Sequence, residues 1–403
     1  MQDGRSRRDS PSAYRHQMRL LAACSLGGVG HLRPLVPFLD EARRSGHETL
    51  VVCPPAMAAM VDKTGHPSRP GGEPPENAIR PIRERLPIVP AGEASLLGNR
   101  ELFGRLATTA MLPTMESVLR EWRPDVVLRE PCEYASAVAA APLGIPTVTI
   151  AICLAGVEWD SIDVAAPALE AHRAELVEEL RHSPYVTRFP AAMDPSPFPD
   201  TRRFCEPLLA PQSALPDWWP GSSAPLVYIS FGTVLGHMTI APEVYRTALE
   251  AVGGLDVRAL LTVGRRFNPS ELTEVPDNVH VEAWVDQTDV VEHAALVVCH
   301  GGAGTTFGAL AAGVPVVVVP IFADQFTNGS RVVAAGAGLL VDGDRDAQGR
   351  RHPLGRVDAV RICRAVETVL ADHTYCEGAR AVAAEMAAAP TTKTTLDELL
   401  RIR

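Results

Sequence analysis

After a polar start, the chain alternates short apolar runs with amphipathic stretches. Arg19–Cys24 (RLLAAC) ends in the glycine-rich SLGGVGH, the pattern of a strand buried on both faces. Leu32, Leu35, Val36, Leu39 and Ala42 then recur at helical spacing, with Gly46 as the stop. Glu48–Cys53 (ETLVVC) reads as the next strand, which completes a β-α-β unit and predicts a parallel sheet. Val126–Leu128 and Thr147–Ile150 extend that sheet, introduced by Pro124 and Pro146. From Pro195 to Ala224 prolines recur at 195, 197, 199, 207, 211, 216 and 220, a density that predicts no regular element and a domain boundary. Strand patterns restart at Leu226–Ser230, Arg258–Val263, Val279–Glu282, Leu296–Cys299 and Val316–Val319, with helical patterns between them at Pro242–Val252 and Thr305–Ala312. Pro67–Ser95 and Glu158–His182 give no readable periodicity.

Composition changes this picture little. The 403 residues are 46% hydrophobic and 21% charged, which fits a globular chain of two domains. A net charge of −10 without any block of basic residues argues against a nucleic-acid partner. Lys63 and Lys393 are the only lysines, a codon bias that says little about function. Eight cysteines stand singly, without a C-x-x-C pair or zinc-ligand spacing, and the histidines are equally scattered, so no metal site is expected. The first 17 residues are polar and Arg-rich, unlike a signal peptide, and the longest apolar run, Val314–Val319, is too short for a membrane span. A reduced, cytoplasmic protein is the expectation.

Chemistry concentrates in two strand-turn-helix junctions. His300-Gly-Gly-Ala-Gly-Thr-Thr306 follows one strand and opens a helix, so Gly302, Ala303 and Gly304 let backbone N–H groups approach an anion beside Thr305. Ser230-Phe-Gly-Thr233 forms a second such turn on the same sheet edge, with Gly232 at its centre. Together they predict a diphosphate site outside the carboxyl ends of the strands.

The segment Trp284-Val-Asp-Gln287, His300-Gly-Gly-Ala-Gly-Thr305, Pro315 and Pro320-Ile-Phe-Ala-Asp324-Gln325 spans 42 residues. It resembles the nucleotide-sugar box of the UDP-glycosyltransferase superfamily, and more narrowly the actinobacterial branch that glycosylates natural products. Gly30-His31-Leu-Arg-Pro34 extends the resemblance into the amino half. It implies a GT-B fold: two Rossmann-like α/β domains with parallel sheets facing across a cleft. The expected division is an extension at 1–17 without order, an acceptor-binding domain at 18–205, a proline-rich linker at 206–224, a nucleotide-sugar domain at 225–385, and a helix at 386–403 that can cross back.

The resemblance also implies roles. Trp284 and Val285 would meet the nucleobase, and Gln287 the base or ribose. Ser230, Gly232, Thr233, His300, Gly302, Ala303, Gly304 and Thr305 would grip the diphosphate. Asp324 and Gln325 would bind sugar hydroxyls, although both also suit a helix N-terminus. His31, beside Gly30, would be the general base, kept neutral by the helix that follows it. Glu130 stands where many relatives carry the supporting aspartate, with Asp125 as fallback. UDP-using members carry a glutamate eight residues after the box histidine. Here that position is Gly308, which predicts a dTDP-activated deoxysugar unless the glycine serves only close packing.

The combined expectation is an inverting, metal-independent glycosyltransferase without a cofactor, using a dTDP-sugar as co-substrate and an apolar aglycone as acceptor. The aglycone would lie against Ala56–Arg105 and Cys153–Val186, and a homodimer stays open. The alternatives are a UDP-sugar-dependent enzyme of the same family and a non-catalytic nucleotide-sugar-binding relative. A two-Rossmann oxidoreductase fits less well, because Ser25-Leu-Gly-Gly-Val-Gly30 does not match G-x-G-x-x-G.

Overall fold

The computed structural model describes residues 17–26, 28–86, 89–206, 213–344 and 354–402. The polar extension at 1–16 and the linker prolines 207 and 211 lie outside the described residues.

Two wholly parallel sheets carry the chain. The first holds β1 (Arg19–Ala23), β2 (Glu48–Cys53), β3 (Ser68–Pro70), β4 (Val126–Arg129), β5 (Thr147–Ile150), β6 (Tyr185–Thr187) and β7 (Thr201–Arg203), in the order β3-β2-β1-β4-β5-β6-β7. The second holds β8 (Leu226–Ser230), β9 (Arg258–Thr262), β10 (Val279–Glu282), β11 (Ala294–Cys299), β12 (Val316–Val318) and β13 (Gly338–Leu340), in the order β10-β9-β8-β11-β12-β13. Helices cover both faces, so the central strands are apolar along their length: every residue of β8 is buried. This is a pair of Rossmann-like halves. In each, strand order reverses once, between β1 and β4 and between β8 and β11.

One sequence expectation is corrected, and two stretches without a readable period prove to be structured. The proline-dense stretch does contain an element, β7, in a short interval between Pro199 and Pro207. An edge strand pairs on one side only, so three residues suffice to dock on β6. Pro67–Ser95 contains β3 and a helix at Glu76–Arg85 that buries Ile79 and Ile82. Glu158–His182 is mostly helical, in Ala155–Glu170 and Leu176–His182 with a short turn between, and the apolar positions Ile162, Ala165, Leu169, Leu176 and Leu180 are buried. Polar residues between them mask the period in the sequence.

Apolar contacts tie the halves together. The Phe189 and Phe307 rings lie 4.4 Å apart, and the linker's Trp218 stacks on His280 of β10 in the second half at 4.7 Å. The last helix, Thr392–Leu399, buries Leu396 and Leu399 beside Phe38 and Phe204 of the first half. Among the described residues no helix is long and apolar enough to cross a membrane.

Candidate functional site

The amino half of the site forms where β1 and β4 diverge. Parallel pairing sets Ala23 opposite Arg129, so the loops leaving both strands emerge side by side into the crevice at the reversal. His31 comes from the β1 loop and Glu130 from the β4 loop. The imidazole Nδ1 lies 3.2 Å from Glu130 Oε2. Glu130 is fully buried and fixed: Ser25 N–H donates to Oε1 at 2.9 Å and Cys132 N–H to Oε2 at 2.7 Å. Arg129, itself buried, pins the same loop. Its guanidinium donates to the Glu133 carbonyl, the Thr149 hydroxyl and the Pro131 carbonyl at 2.6, 2.7 and 2.8 Å. The carboxylate therefore cannot swing away from the histidine.

The protonation expectation for His31 is reversed. Burial lowers its pKa, but the facing Glu130 carboxylate, reinforced by Glu158, outweighs burial and raises it above its ordinary value. The local helix, Val29–Leu32, has four residues with His31 in its last turn, so its N-terminal field is too short and misplaced to dominate. Gly30 sits inside that turn with open space where a Cβ would point. Asp125 is at the opposite edge of the sheet, where its Oδ2 accepts from Arg19 N–H at 2.7 Å.

Two further groups were not legible from the sequence. Phe103, on a π-helical stretch at Leu96–Ala107, places its ring 5.8 Å from the His31 ring. Glu158, 2% exposed, accepts from the Ile152 and Cys153 N–H groups through Oε1, each at 2.8 Å, and burial pushes its pKa up to about 8. No spacing or motif marks either residue.

The carboxyl half forms at the second reversal. Pairing of Ser230 with Cys299 sets the two glycine turns against each other. His300 is wedged between them: a Cβ at Gly302 would lie 2.3 Å from its Nε2, and one at Gly232, where φ is +76°, would lie 2.8 Å away. Burial pulls the His300 pKa down to about 4, so the ring is neutral near pH 7. Gly302 precedes the helix Ala303–Ala311, whose first turn carries Ala303, Gly304 and buried Thr305. Ser230 is buried and Thr233 exposed. This is a polar, backbone-rich cradle at a helix N-terminus, suited to an anion.

Around it, Trp284 is 43% exposed, with the Arg265 guanidinium 5.0 Å over its ring, and Val285 packs against the core. Gln287 opens a short helix and reaches Gly308, where an added Cβ would lie 2.4 Å from its Nε2. Asp324 precedes the helix Gln325–Ala334 without capping it through its side chain. Its Oδ2 accepts from Asn328 at 2.8 Å, and burial raises its pKa. Gln325 is buried, and its Oε1 is committed to the Ile321 and Phe322 N–H groups at 2.7 and 2.9 Å. Only its amide N–H groups remain to meet a ligand. Burial first, and then the charges of Glu158 and of Asp324 from the second half, push the Cys153 thiol pKa up.

The fold and this two-sided site define a glycosyltransferase of the GT-B class. Models of the erythromycin biosynthesis protein CIII-like family match residues 41–182 (N-terminal domain) and 246–402 (C-terminal domain). The L-demethylnoviosyl transferase of Streptomyces niveus is 31% identical over 385 residues, covering 93% of this chain and 95% of that protein. The oleandomycin glycosyltransferase of Streptomyces antibioticus is 27% identical, covering 90% and 89%. Among solved structures, spinosyn rhamnosyltransferase SpnG superposes with a TM-score of 0.75 at 25% identity, covering 95% of this chain and all of that one. Its complex with thymidine diphosphate superposes at 0.73 and 23% identity, with the same coverage. The chain belongs to the actinobacterial natural-product branch of the GT-B glycosyltransferases.

Proposed function

We propose that this enzyme transfers a deoxysugar from a dTDP-sugar to an apolar natural-product aglycone, with inversion and without a metal. The observation that carries the reading is the His31–Glu130 pair at the first reversal, with its carboxylate fully buried. Glu130 beside Nδ1 favours the tautomer with the proton there, leaving Nε2 free to take the acceptor's proton. As that proton moves, the acceptor nucleophile bonds to the anomeric carbon and the bond from that carbon to the diphosphate oxygen breaks on the opposite face. The imidazolium that forms is stabilised by Glu130, the charge that raises its pKa. The departing diphosphate gathers negative charge at the Ser230–Thr233 turn and at the helix N-terminus after His300, which supplies N–H groups in place of a cation.

Trp284, 43% exposed, would offer its face to the base, and Asp324 would bind a sugar hydroxyl. The missing acid at Gly308, and the thymidine diphosphate in the complex of the structural neighbour SpnG, support dTDP. The names of the Streptomyces relatives support an antibiotic-type aglycone, for which Phe103 beside His31 offers an apolar wall. His31→Ala tests the reading: dTDP binding by calorimetry, without added metal, should persist while turnover falls at least ~100-fold. Near-normal turnover removes the base assignment, and equal affinity for dTDP and UDP removes the donor assignment.

A further inference from the structure

The loop after β4 carries a thiol, Cys132, that the proposed transfer does not use. His31 comes from the β1 loop and Glu130 and Cys132 from the β4 loop, and one ligand atom of each lies within 4.8 Å of the others. Among the described residues they form the one such group of three metal-ligand types. Their chemistry is mixed: imidazole, thiol and carboxylate, the donor set that zinc accepts at catalytic and structural sites alike. Tetrahedral zinc with bonds of 2.0–2.3 Å holds its ligand atoms about 3.3–3.8 Å apart, so a cation would draw His31 and Cys132 toward the fixed Glu130 carboxylate. A second observation points the same way. His31 Nδ1 is buried and, although close to Glu130, makes no aligned hydrogen bond. The contact with Glu130 is therefore one that a cation can compete for.

We propose that His31, Glu130 and Cys132 form an inhibitory site for a thiophilic divalent cation, Zn2+ in the first instance. On binding, the thiol releases its proton to solvent as the metal–sulfur bond forms, the Nδ1 proton is lost to solvent while Nε2 takes one up, the freed Nδ1 lone pair binds the metal, and Glu130 contributes one carboxylate oxygen. No electron is transferred. Coordination through Nδ1 forces the remaining imidazole proton onto Nε2. The lone pair that would accept the acceptor's proton is then gone, so occupancy and base catalysis exclude each other. The inhibition rests on His31 being the base, whereas the binding does not. The site is distinct from any role in holding the diphosphate, which belongs to the opposite half.

The test uses the full chain freed of metal by a chelator, titrated with Co2+ and, separately, assayed with Zn2+. In the wild type, Co2+ should produce the intense near-ultraviolet thiolate-to-cobalt band, and Zn2+ should inhibit reversibly on chelation. Cys132→Ser and Cys132→Ala should turn over normally without metal, which also shows that they are folded. They should lose the cobalt band and need at least about 10-fold more Zn2+ for half-inhibition. A cobalt band that survives in Cys132→Ser places the metal at another cysteine and overturns the proposal. So does the absence of any band in the wild type, or Zn2+ inhibition equal in wild type and variant. Loss of turnover in His31→Ala together with no cobalt band in the wild type would leave the base assignment standing and remove only the metal site.

Discussion

The wedge of His300 between Gly232 and Gly302 permits a quantitative test of the donor cradle. A methyl group at Gly302 would lie 2.3 Å from His300 Nε2, where ordinary contact begins near 3.4 Å, so the ring must move by about 1 Å. Displacements of about 1 Å in a binding constellation cost on the order of 100-fold in rate, equivalent to about 2.7 kcal/mol of transition-state stabilisation. Gly302→Ala should therefore lower kcat/KM by about 100-fold and weaken dTDP binding, while overpacking costs about 1–3 kcal/mol in stability. Gly304→Ala is the control. Its Cβ meets open space, and in a helix it should stabilise by about 0.4–1 kcal/mol. Any loss of dTDP affinity in that control reports direct backbone approach to the diphosphate. The assay is steady-state kinetics with dTDP calorimetry for both variants and for His300→Ala, alone and combined with Gly302→Ala. If the methyl acts by displacing His300, Gly302→Ala adds little in the His300→Ala background. An undiminished 100-fold loss there would refute the steric argument.

Glu130→Gln removes the charge that raises the His31 pKa. The acid limb of the kcat/KM profile should move to lower pH, and the plateau should fall because the weaker base loses its counter-charge; an unmoved limb would detach Glu130 from His31. Gly308→Glu alone should not favour UDP, because its side chain starts 2.4 Å from Gln287 Nε2. The UDP to dTDP affinity ratio should rise in Gly308→Glu with Gln287→Ala, and an unchanged ratio in the double variant places nucleotide choice elsewhere. Glu158, raised to about 8, binds a proton in the folded state that the unfolded chain releases nearer its ordinary value. Its contribution is full at low pH and is lost as pH rises through 8, so Glu158→Gln should gain in Tm relative to wild type between pH 5 and pH 8; parallel curves would contradict this.

The two sheets were legible because their strands are buried on both faces and read as continuous apolar runs ended by glycine. The glycine turns could likewise be placed, since a strand, a turn and a helix start are local features. Helices between Glu158 and His182 were not legible. Their buried positions are interleaved with polar residues, so the period shows only against the surface they cover. The edge strand Thr201–Arg203 owes its existence to β6 rather than to its own composition.

By itself the sequence determined the residue types of the site: a histidine after the first strand, an acid after the fourth, and a glycine-rich turn with its own histidine. Tertiary structure decided what those residues do to one another. It set the Glu130 carboxylate 3.2 Å from His31 and so reversed the expected direction of its pKa. It committed the Gln325 carbonyl to backbone, lodged Gln287 over Gly308, and brought Cys132 to the base. The reason is range. Strand period and turn chemistry depend on neighbours in the chain, whereas proton affinity, steric room and ligand clustering depend on groups that meet only when parallel strands from distant segments pair.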